Sequence, residues 1–254
     1  MVNAVVLGGG GRPDERLADL YRGPSKGLIQ LGGKPSVQYV LEALRATPGV
    51  RRIALAGPSA LLEHPAAQLA DLRLEEEGGI VEKLAAAARA FGDGQRLLMA
   101  GCDIPLVTPE VFADIIDRCP EETAFFHPLV RKSAALRDFP EHKWVFLKLR
   151  DGSVVTTNVI ILDPTWLDRR PDIAVKIEEL RRHPIRMALQ WGLLFLLKFK
   201  LGLLSLDYCE RFFSDFLQAP VRGAITDHTE LAMDLDRPED APMLERRLVT
   251  RGAP

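Results

Sequence analysis

The sequence has few of the features that mark a secreted or nucleic-acid-binding protein. Its 3 cysteines are widely spaced and odd in number, which suits a reducing compartment better than a disulfide framework. The 33 Lys and Arg residues are balanced by 35 Asp and Glu residues, so no bulk positive charge attracts a nucleic acid. No basic and apolar leader precedes the first glycine-rich stretch, and we expect a cytoplasmic protein.

Common patterns for metal and phosphate sites are also missing. The histidines show no i,i+4 pairing and no cysteine at ligand spacing, which argues against a zinc site. The glycine run beginning at Gly8 fails the dinucleotide pattern because Pro13 stands at the sixth position. Pro35 after Gly33-Lys34 likewise breaks the Walker pattern. Any phosphate site in this chain therefore has to be of another type.

Apolar runs and glycines alternate through the first half of the chain as expected of a parallel sheet. With 254 residues, 47% of them hydrophobic, the chain can bury a large core without disulfide or metal support. Thr108 before Pro109 predicts a capped helix start. The other predicted elements are strands Ala4–Leu7, Ile53–Ala56 and Arg96–Ala100 and helices Ser36–Ala46, Ser59–Leu69 and Ile80–Phe91. Such a series predicts βαβ units.

The second half of the chain has a different pattern. Asp151-Gly152 between two apolar runs predicts a hairpin of Trp144–Leu149 and Val154–Leu162. No internal repeat or low-complexity linker occurs, which favours a single domain over 1–254. The remaining predicted elements are helices from about 172 to 217, strands Val221–Ile225 and Leu231–Leu235, and a closing helix Pro238–Val249.

One segment, 188–206, is strongly apolar. A membrane-spanning helix needs about 20 apolar residues, and Lys198 and Lys200 would each cost roughly 3 kcal/mol near its centre. We favour a helix buried in the core or against a partner. A lid, a surface for a lipid-like substrate, a peripheral membrane contact and a spanning helix stay open. The basic residues just before the segment, Arg181, Arg182 and Arg186, keep a membrane contact among the alternatives.

Several residues carry the chemistry that this pattern can support. The amides of a glycine run after the first strand can surround phosphate oxygens, and Lys26 and Lys34 in the next loop suit a triphosphate. Asp103 ends the third strand, where open α/β sheets bind ligands and a carboxylate can hold Mg²⁺. Asp234 and Asp236 would share one face of a strand. The structural alternatives are a tight turn, solvated lysines and helix caps.

Five motifs occur in order: Leu7-Gly8-Gly9-Gly10-Gly11-Arg12, Ser25-Lys26, Gly33-Lys34-Pro35, Asp103-Ile104-Pro105 and Asp234-Leu235-Asp236-Arg237-Pro238-Glu239-Asp240. Together they resemble the NTP transferases of the molybdenum-cofactor guanylyltransferase and sugar-phosphate nucleotidylyltransferase type. Each motif alone is moderately specific. The resemblance covers residues 3 to about 118 and about 225 to 248. The stretch 128–220 matches poorly, so the acceptor is not named by it.

The resemblance implies a fold and an activity. The implied fold is α/β, a Rossmann-like three-layer sandwich of the glycosyltransferase-A type, whose mixed, mostly parallel sheet carries a hairpin and a helical insertion in its second half. The implied activity transfers a nucleotidyl group from an NTP to a phosphate-bearing acceptor, with Mg²⁺ as cofactor and pyrophosphate as product. Residues 1–127 would form the nucleotide-binding half, 128–220 the acceptor side and 221–254 the return to the core.

The resemblance also implies roles for individual residues. Lys26, Asp103 and Asp236 would be catalytic, with the two aspartates holding the metal, and Asn158 would contact the acceptor. The implied nucleotide-binding residues are Leu7, Gly8, Gly9, Gly10, Gly11, Arg12, Lys26, Gly78, Gly79 and Asp103. The loop usually has an arginine where Asp14 stands, so Arg12 or Arg16 is expected to replace it.

Several points stay open at the level of the sequence. Lys83 stands where relatives often have Asn, so the base is not assigned. A nucleotide-sugar-dependent glycosyltransferase, with Asp234-Leu235-Asp236 as its D-x-D motif, is one alternative function, and a non-catalytic nucleotide-binding or membrane-associated module is another. The expected partners are an NTP and a small phosphate-bearing acceptor, which could be lipid-like, and no nucleic acid. The 188–206 helix could mediate membrane contact or homodimer formation.

Overall fold

The computed structural model describes residues 1–9, 15–75, 78–181, 183, 186 and 190–252. Its strands are β1 (Val2–Leu7), β2 (Gln30–Leu31), β3 (Lys34–Pro35), β4 (Val50–Gly57), β5 (Leu72–Glu75), β6 (Leu97–Gly101), β7 (Phe125–Arg131), β8 (Leu147–Leu149), β9 (Gly152–Thr156), β10 (Val159–Leu162) and β11 (Val221–Thr226). Its helices are α1 (Ser36–Ala46), α2 (Ser59–Leu62), α3 (Ile80–Phe91), α4 (Pro109–Arg118), α5 (Lys132–Asp138), α6 (Thr165–Arg169), α7 (Pro171–Arg181), α8 (Leu193–Lys200), α9 (Leu206–Leu217) and α10 (Asp240–Gly252).

A nine-stranded mixed sheet forms the centre of the molecule, and β2 and β3 form a separate small sheet. The strand order is β5-β4-β1-β6-β10-β7-β9-β8, with β11 beside β7. Strands β5, β4, β1 and β6 are parallel, whereas β10 is antiparallel to both of its neighbours. Leu7 of β1 pairs with Gly101 of β6, so the chain leaves these two strands at the same edge of the sheet.

Neighbouring residues of the central strands pack against opposite layers of helices. On one face, Val6 of β1 packs in a cluster with Leu41 of α1 and Phe112 of α4. On the other face, Val5 packs in a cluster with Leu84 of α3 and other residues. Burial of each such side chain contributes roughly 1.5–3 kcal/mol, which makes the two layers the main source of stability. The expected three-layer α/β sandwich is confirmed.

Several predicted elements are confirmed at their boundaries. Helices Ser36–Ala46 and Ile80–Phe91 have the predicted ends. Helix α4 begins after Thr108, whose side-chain oxygen accepts a hydrogen bond from the Val111 N–H at 3.4 Å. Strand β11 covers the predicted Val221–Ile225. Periodicity and capping residues suffice for these elements because their signals are local.

The helix predicted over Ser59–Leu69 is wrong. Helix α2 ends at Leu62, and a separate 3-10 helix spans Pro65–Leu69. Pro65 has no N–H to donate to the preceding turn, and the residue before a proline is disfavoured in helical conformation. His64 is accordingly extended, with ψ of 140°.

The strand predicted over Leu231–Leu235 is also wrong. The chain forms a 3-10 helix, Thr229–Leu231, and continues as a loop. The Thr229 carbonyl accepts hydrogen bonds from the N–H groups of Ala232 (3.1 Å) and Met233 (3.0 Å). These local bonds turn the chain where a strand would have to extend.

The predicted hairpin strand Val154–Leu162 is divided in two by Thr157 and Asn158. Strands β8 and β9 form the expected antiparallel hairpin, whereas β10 pairs with β6 and β7. The Thr157 hydroxyl donates to the carbonyl of Pro128 at 2.9 Å. The Asn158 carbonyl accepts from the Gly101 N–H at 3.0 Å. This break leaves the Asn158 side chain at the end of β6.

The apolar segment 188–206 contributes helix α8 and an exposed apolar surface. Residues 188 and 189 lie outside the described ranges. Phe195 is buried, but five leucines are more than half exposed: Leu193, Leu194, Leu197, Leu201 and Leu203. The interpretation as a core helix is therefore wrong. Within the described ranges, the chain has no helix long and apolar enough to cross a membrane.

Candidate active site

Three aspartates meet where β6 ends. Asp103 follows β6 and is buried, while Asp234 and Asp236 lie in the loop that precedes α10. One carboxylate oxygen from each lies within 4.8 Å of the others. The Leu235 N–H donates to the Asp103 carbonyl at 3.0 Å and ties this loop to the strand end. The two aspartates expected to hold a metal therefore lie together with a third.

Lys26 lies between two of these carboxylates. Its Nζ is 2.5 Å from Oδ2 of Asp103 and 2.6 Å from Oδ1 of Asp236. Ser25 caps the 3-10 helix in which Lys26 lies, accepting a backbone N–H at 3.1 Å. Burial alone would lower the pKa of the Lys26 ammonium, but the two carboxylates outweigh burial and hold this pKa well above its usual range. Lys26 is therefore a charged internal counter-ion.

Asp234 has a perturbed carboxyl group. Burial first, and then the charges of Asp103 and Asp236, raise the pKa of Asp234 to about 6. Asn158 partly offsets this through a hydrogen bond from its Nδ2 to Oδ2 of Asp234 at 2.8 Å. A divalent cation among three carboxylates would relieve their repulsion and favour the ionised form. The donor set, all carboxylate oxygen, is the kind that Mg²⁺ prefers.

A cavity of about 330 Å³, here called the nucleotide-side cavity, borders Asp103 and Lys26. Gly9 in its wall has a φ of +88°, which favours glycine. Position 79 leaves no space for a side chain, because a Cβ there would lie 2.0 Å from the Glu178 side chain. Lys83 is buried, and its Nζ donates to the Gly9 carbonyl at 2.6 Å. Glycine backbone and one ammonium group therefore share a wall of this cavity. The cavity is lined by Leu7, Gly9, Lys26, Gly78, Gly79, Ile80, Lys83, Met99, Gly101, Cys102, Asp103, Asn158 and Glu178.

Some residues expected to bind the nucleotide are placed elsewhere. Gly8 lies beside the cavity: its N–H donates to the Ala56 carbonyl at 2.7 Å, and a Cβ would lie 2.1 Å from the Leu61 side chain. Its small size therefore serves packing. Lys34 pairs with Glu42 at 2.9 Å, which agrees with the alternative of a loop lysine at the surface. Gly10, Gly11, Arg12 and Asp14 lie outside the described residues.

A second cavity of about 210 Å³, here called the acceptor-side cavity, borders Asp234 and Asp236. Asn158 lines both cavities, so the carboxylates lie between them. Basic side chains contribute to its wall, and Nη1 of one of them, Arg16, is 3.4 Å from Oδ2 of Asp236. The other basic lining residues are His142, Lys143 and Arg237. A cavity with this lining suits an anionic ligand.

Sequence reasoning missed three basic residues of the site. Lys83 was noted only for base preference, although a lysine on the apolar face of α3, next to Leu84, is a usable signal. Lys143 carries no such signal, because loop packing alone places it in the acceptor-side cavity, whereas Arg237 belongs to the motif at 234–240 but was given no role. The expectation that Asn158 contacts the acceptor is compatible with its position in both cavities.

Comparisons with known proteins agree on one class of enzyme. The profile of the MobA-like NTP transferase domain matches residues 4–185. A solved structure from Thermus thermophilus, described as a hypothetical transferase, is 30% identical, with a TM-score of 0.83 over 95% of this chain and 100% of that one. No curated protein matches the chain.

Two more distant solved structures show the same fold. A CMP:2-keto-3-deoxy-manno-octonic acid synthetase complexed with CTP is 12% identical, with a TM-score of 0.66 over 99% of this chain and 100% of that one. A cytidylyltransferase from Leptospira borgpetersenii serovar Hardjo-bovis is 13% identical, with a TM-score of 0.59 over 96% and 84%. At these identities the likeness concerns the fold alone.

Proposed function

The chain belongs to the MobA-like NTP transferase family, and from this premise we propose that it transfers a nucleoside monophosphate from an NTP to a phosphate-bearing acceptor and releases pyrophosphate. The observation that supports this most directly is the position of three carboxylates and Lys26 between two cavities. One cavity offers glycine backbone and Lys83, which suit a triphosphate. The other offers Arg16, Lys143 and Arg237, which suit an anionic acceptor.

In the proposed reaction, an oxygen of the acceptor's phosphate attacks the α-phosphorus of the NTP. A new P–O bond forms as the bond from the α-phosphorus to the bridging oxygen breaks, and pyrophosphate leaves with the electron pair. The attacking phosphate is already anionic, so it needs no base to remove a proton. Catalysis then consists of positioning the two substrates and neutralising charge.

Direct transfer needs no nucleophile from the protein, and the two nearest candidates are unsuited. Burial raises the pKa of the Cys102 thiol to about 12, so this thiol stays protonated. Ser25 lies in a stretch with the letters of a nucleophile elbow, Gly23-Pro24-Ser25-Lys26-Gly27. It is buried, however, and its Oγ caps a 3-10 helix. A nucleophile elbow instead exposes its serine after a strand.

The carboxylate cluster fits a magnesium ion. Asp103, Asp234 and Asp236 would hold it, since Mg²⁺ takes carboxylate oxygens together with substrate phosphates. Such an ion would supply neutralisation of phosphate charge when bound. Lys26 adds positive charge at the same place, and Asn158 orients Asp234 through its hydrogen bond.

Pyrophosphate release tests the proposal. We would incubate the protein with ATP, CTP, GTP or UTP and a panel of small phosphate-bearing acceptors, with and without Mg²⁺. The Asp103→Asn variant is expected to lower turnover by about 100-fold or more, because it removes a charged ligand of the Mg²⁺ ion that would neutralise the triphosphate. The matched control is Asp117→Asn, which changes an exposed carboxylate on α4 and should leave turnover unchanged.

The alternatives give different products. Retained turnover in Asp103→Asn would contradict the metal assignment. Release of a nucleoside diphosphate from a nucleotide-sugar, without pyrophosphate, would support the glycosyltransferase alternative. Binding of an NTP without any product under all conditions would support the non-catalytic module.

A further inference from the structure

A third cavity, of about 470 Å³, lies between the main sheet and α9, apart from the carboxylate cluster. Phe125 and Leu129 of β7 and Leu149 of β8 face it from the sheet. Phe213 and Leu217 of α9 face it from the opposite side. Protein interiors leave few voids larger than a water molecule, whereas ligand cavities have volumes of about 300–1,000 Å³. The size and apolar lining of this cavity therefore indicate a ligand.

Three polar side chains in this lining, those of His127, Glu210 and Arg222, are engaged by the protein itself. An Oε1 atom of Glu210 accepts the Gly223 N–H at 2.8 Å, and Arg222 lies 4.0 Å from the same carboxylate. Nε2 of His127 accepts the Thr157 N–H at 3.4 Å. What the cavity offers a ligand is therefore mainly aliphatic and aromatic surface. Such surface selects a hydrocarbon group.

Thr156 contributes to the walls of both this apolar cavity and the acceptor-side cavity. The acceptor-side cavity is bordered by Arg16, Lys143 and Arg237, which suit a phosphate. A basic cavity and an apolar cavity that share one residue match a ligand with a phosphate at one end and a hydrocarbon chain at the other.

Helix α8 extends the apolar surface beside the cavity. Trp191 lines the cavity, and its ring lies 5.4 Å from that of Phe195 on α8. Three of the exposed leucines, Leu193, Leu194 and Leu197, lie on the same helix. Lys198 and Lys200 are its only charged residues, so the helix complements an anionic head group. An amphiphile could therefore approach the cavity along an apolar and positively charged surface.

We propose that this third cavity binds the hydrocarbon chain of an alkyl or isoprenoid phosphate. The assignment of the phosphate end rests on the proposed function; the assignment of the chain end rests on the apolar cavity. Such a ligand can be the acceptor itself or a membrane lipid, and the two sources share this chemistry.

The first test uses the wild-type protein and a series of alkyl phosphates. Hexyl, octyl and decyl phosphate, each below its micelle-forming concentration, would be titrated in a calorimeter. Affinity is expected to rise by up to about fourfold per added methylene, as for transfer of a methylene out of water. Equal affinities across the series, or no binding of any member, would overturn the proposal.

Cys209 supplies a matched pair of variants, because it lines the cavity and is small. Cys209→Phe fills part of the space and should abolish the chain-length dependence, while Cys209→Ser keeps the volume and should retain it. Thermal unfolding and NTP binding show whether each variant is folded. If Cys209→Phe does not fold, the wild-type series still decides. If folded Cys209→Phe keeps the same dependence of affinity on alkyl length, the hydrocarbon chain binds outside this cavity and the proposal is contradicted.

Turnover measurements distinguish the two sources of the hydrocarbon chain, the acceptor and a membrane lipid. Pyrophosphate release with decyl phosphate and an NTP identifies the acceptor as the source. Chain-dependent binding without such release, when a short phosphate is still used, identifies a membrane lipid. Both results support the cavity assignment. Absence of pyrophosphate release with every acceptor counts against the proposed function. The titration with alkyl phosphates then stands as an independent result.

Discussion

At the scale of single residues, the site contains two largely buried lysines with different partners. Lys26 is paired with two carboxylates at 2.5 and 2.6 Å. Lys83 donates to a backbone carbonyl, that of Gly9, at 2.6 Å, and lies in the wall of the nucleotide-side cavity. An ammonium group in this wall suits the triphosphate of the proposed function.

Replacing Lys83 by Met tests this role. The variant keeps the apolar stem of the side chain and removes the charge. We expect the Kd for the preferred NTP to rise about 10- to 100-fold, the usual effect of losing a hydrogen bond to a charged group. Calorimetric titration of the NTP measures this change. Lys148→Met, at an exposed position, is the control. An unchanged Kd in Lys83→Met would remove Lys83 from the nucleotide site.

At the scale of elements, one acid at the start of α10 holds the loop that carries two of the aspartates. Oδ2 of Asp240 accepts the N–H groups of Asp236 at 3.1 Å and Arg237 at 2.8 Å. Its Oδ1 lies 3.0 Å from Nδ1 of His142. Asp240 is itself 2% exposed. The first residue of this helix thus fixes the backbone of the active-site loop.

Asp240→Ala is expected to affect both stability and turnover. Loss of a hydrogen bond to a charged group typically costs about 1.5–3 kcal/mol in the free energy of unfolding. Turnover should fall by more than the decrease in the folded fraction accounts for, because the backbone of Asp236 loses its restraint. Chemical denaturation and pyrophosphate release measure the two effects. Asp207→Ala, in the first turn of α9 and exposed, is the comparison. Full turnover in Asp240→Ala would show that the loop is held by other contacts.

The sequence predicts an element well where the signal is local. Thr108 and Pro109 mark the start of α4 because capping involves only neighbouring residues. Strand β7 was not predicted, since Pro128 cannot donate in a ladder. In the structure, Pro128 lies between the part of β7 that pairs with β10 and the part that pairs with β9. The Pro128 carbonyl accepts a hydrogen bond from the Thr157 hydroxyl. The place of Pro128 in the sheet depends on how three strands pair, and the sequence of one strand does not reveal it.

The residues of the site were likewise predictable only where their signal in the sequence is local or belongs to a motif. Asp103 was found because it ends a strand, and Asp236 because the motif around it resembles a known family. Their contact with Lys26 follows from the parallel pairing of β1 with β6 and from the loop before α10. Lys143 escaped prediction because its position depends on how loops pack against each other.

At the scale of the whole molecule, one buried histidine links stability to pH. Burial lowers the pKa of His127 from 6.5 to about 4. The unfolded chain therefore binds a proton at this residue at a higher pH than the native protein does. Its contribution to stability is fully present above about pH 6.5 and is lost as the pH falls towards 4.

His127→Gln should weaken this dependence. Glutamine can still accept the Thr157 N–H through its side-chain carbonyl but does not titrate. We expect the free energy of unfolding of the variant to fall less than that of the wild type between about pH 6.5 and 4. Denaturant titrations across this range measure it, with His183→Gln at an exposed position as control. Parallel profiles for wild type and His127→Gln would contradict the assignment.

The site joins distant parts of the chain. Lys26 and Asp236 are 210 positions apart, so their contact is among the last that a growing chain can make. Domains begin to fold during synthesis, and contacts of such long range form slowly. Strands β1, β4 and β6 can pair while Asp234 and Asp236 are still unsynthesised. A nascent or prematurely terminated chain therefore holds one carboxylate of three, and on the proposed function nucleotidyl transfer would begin only after translation has passed the final loop.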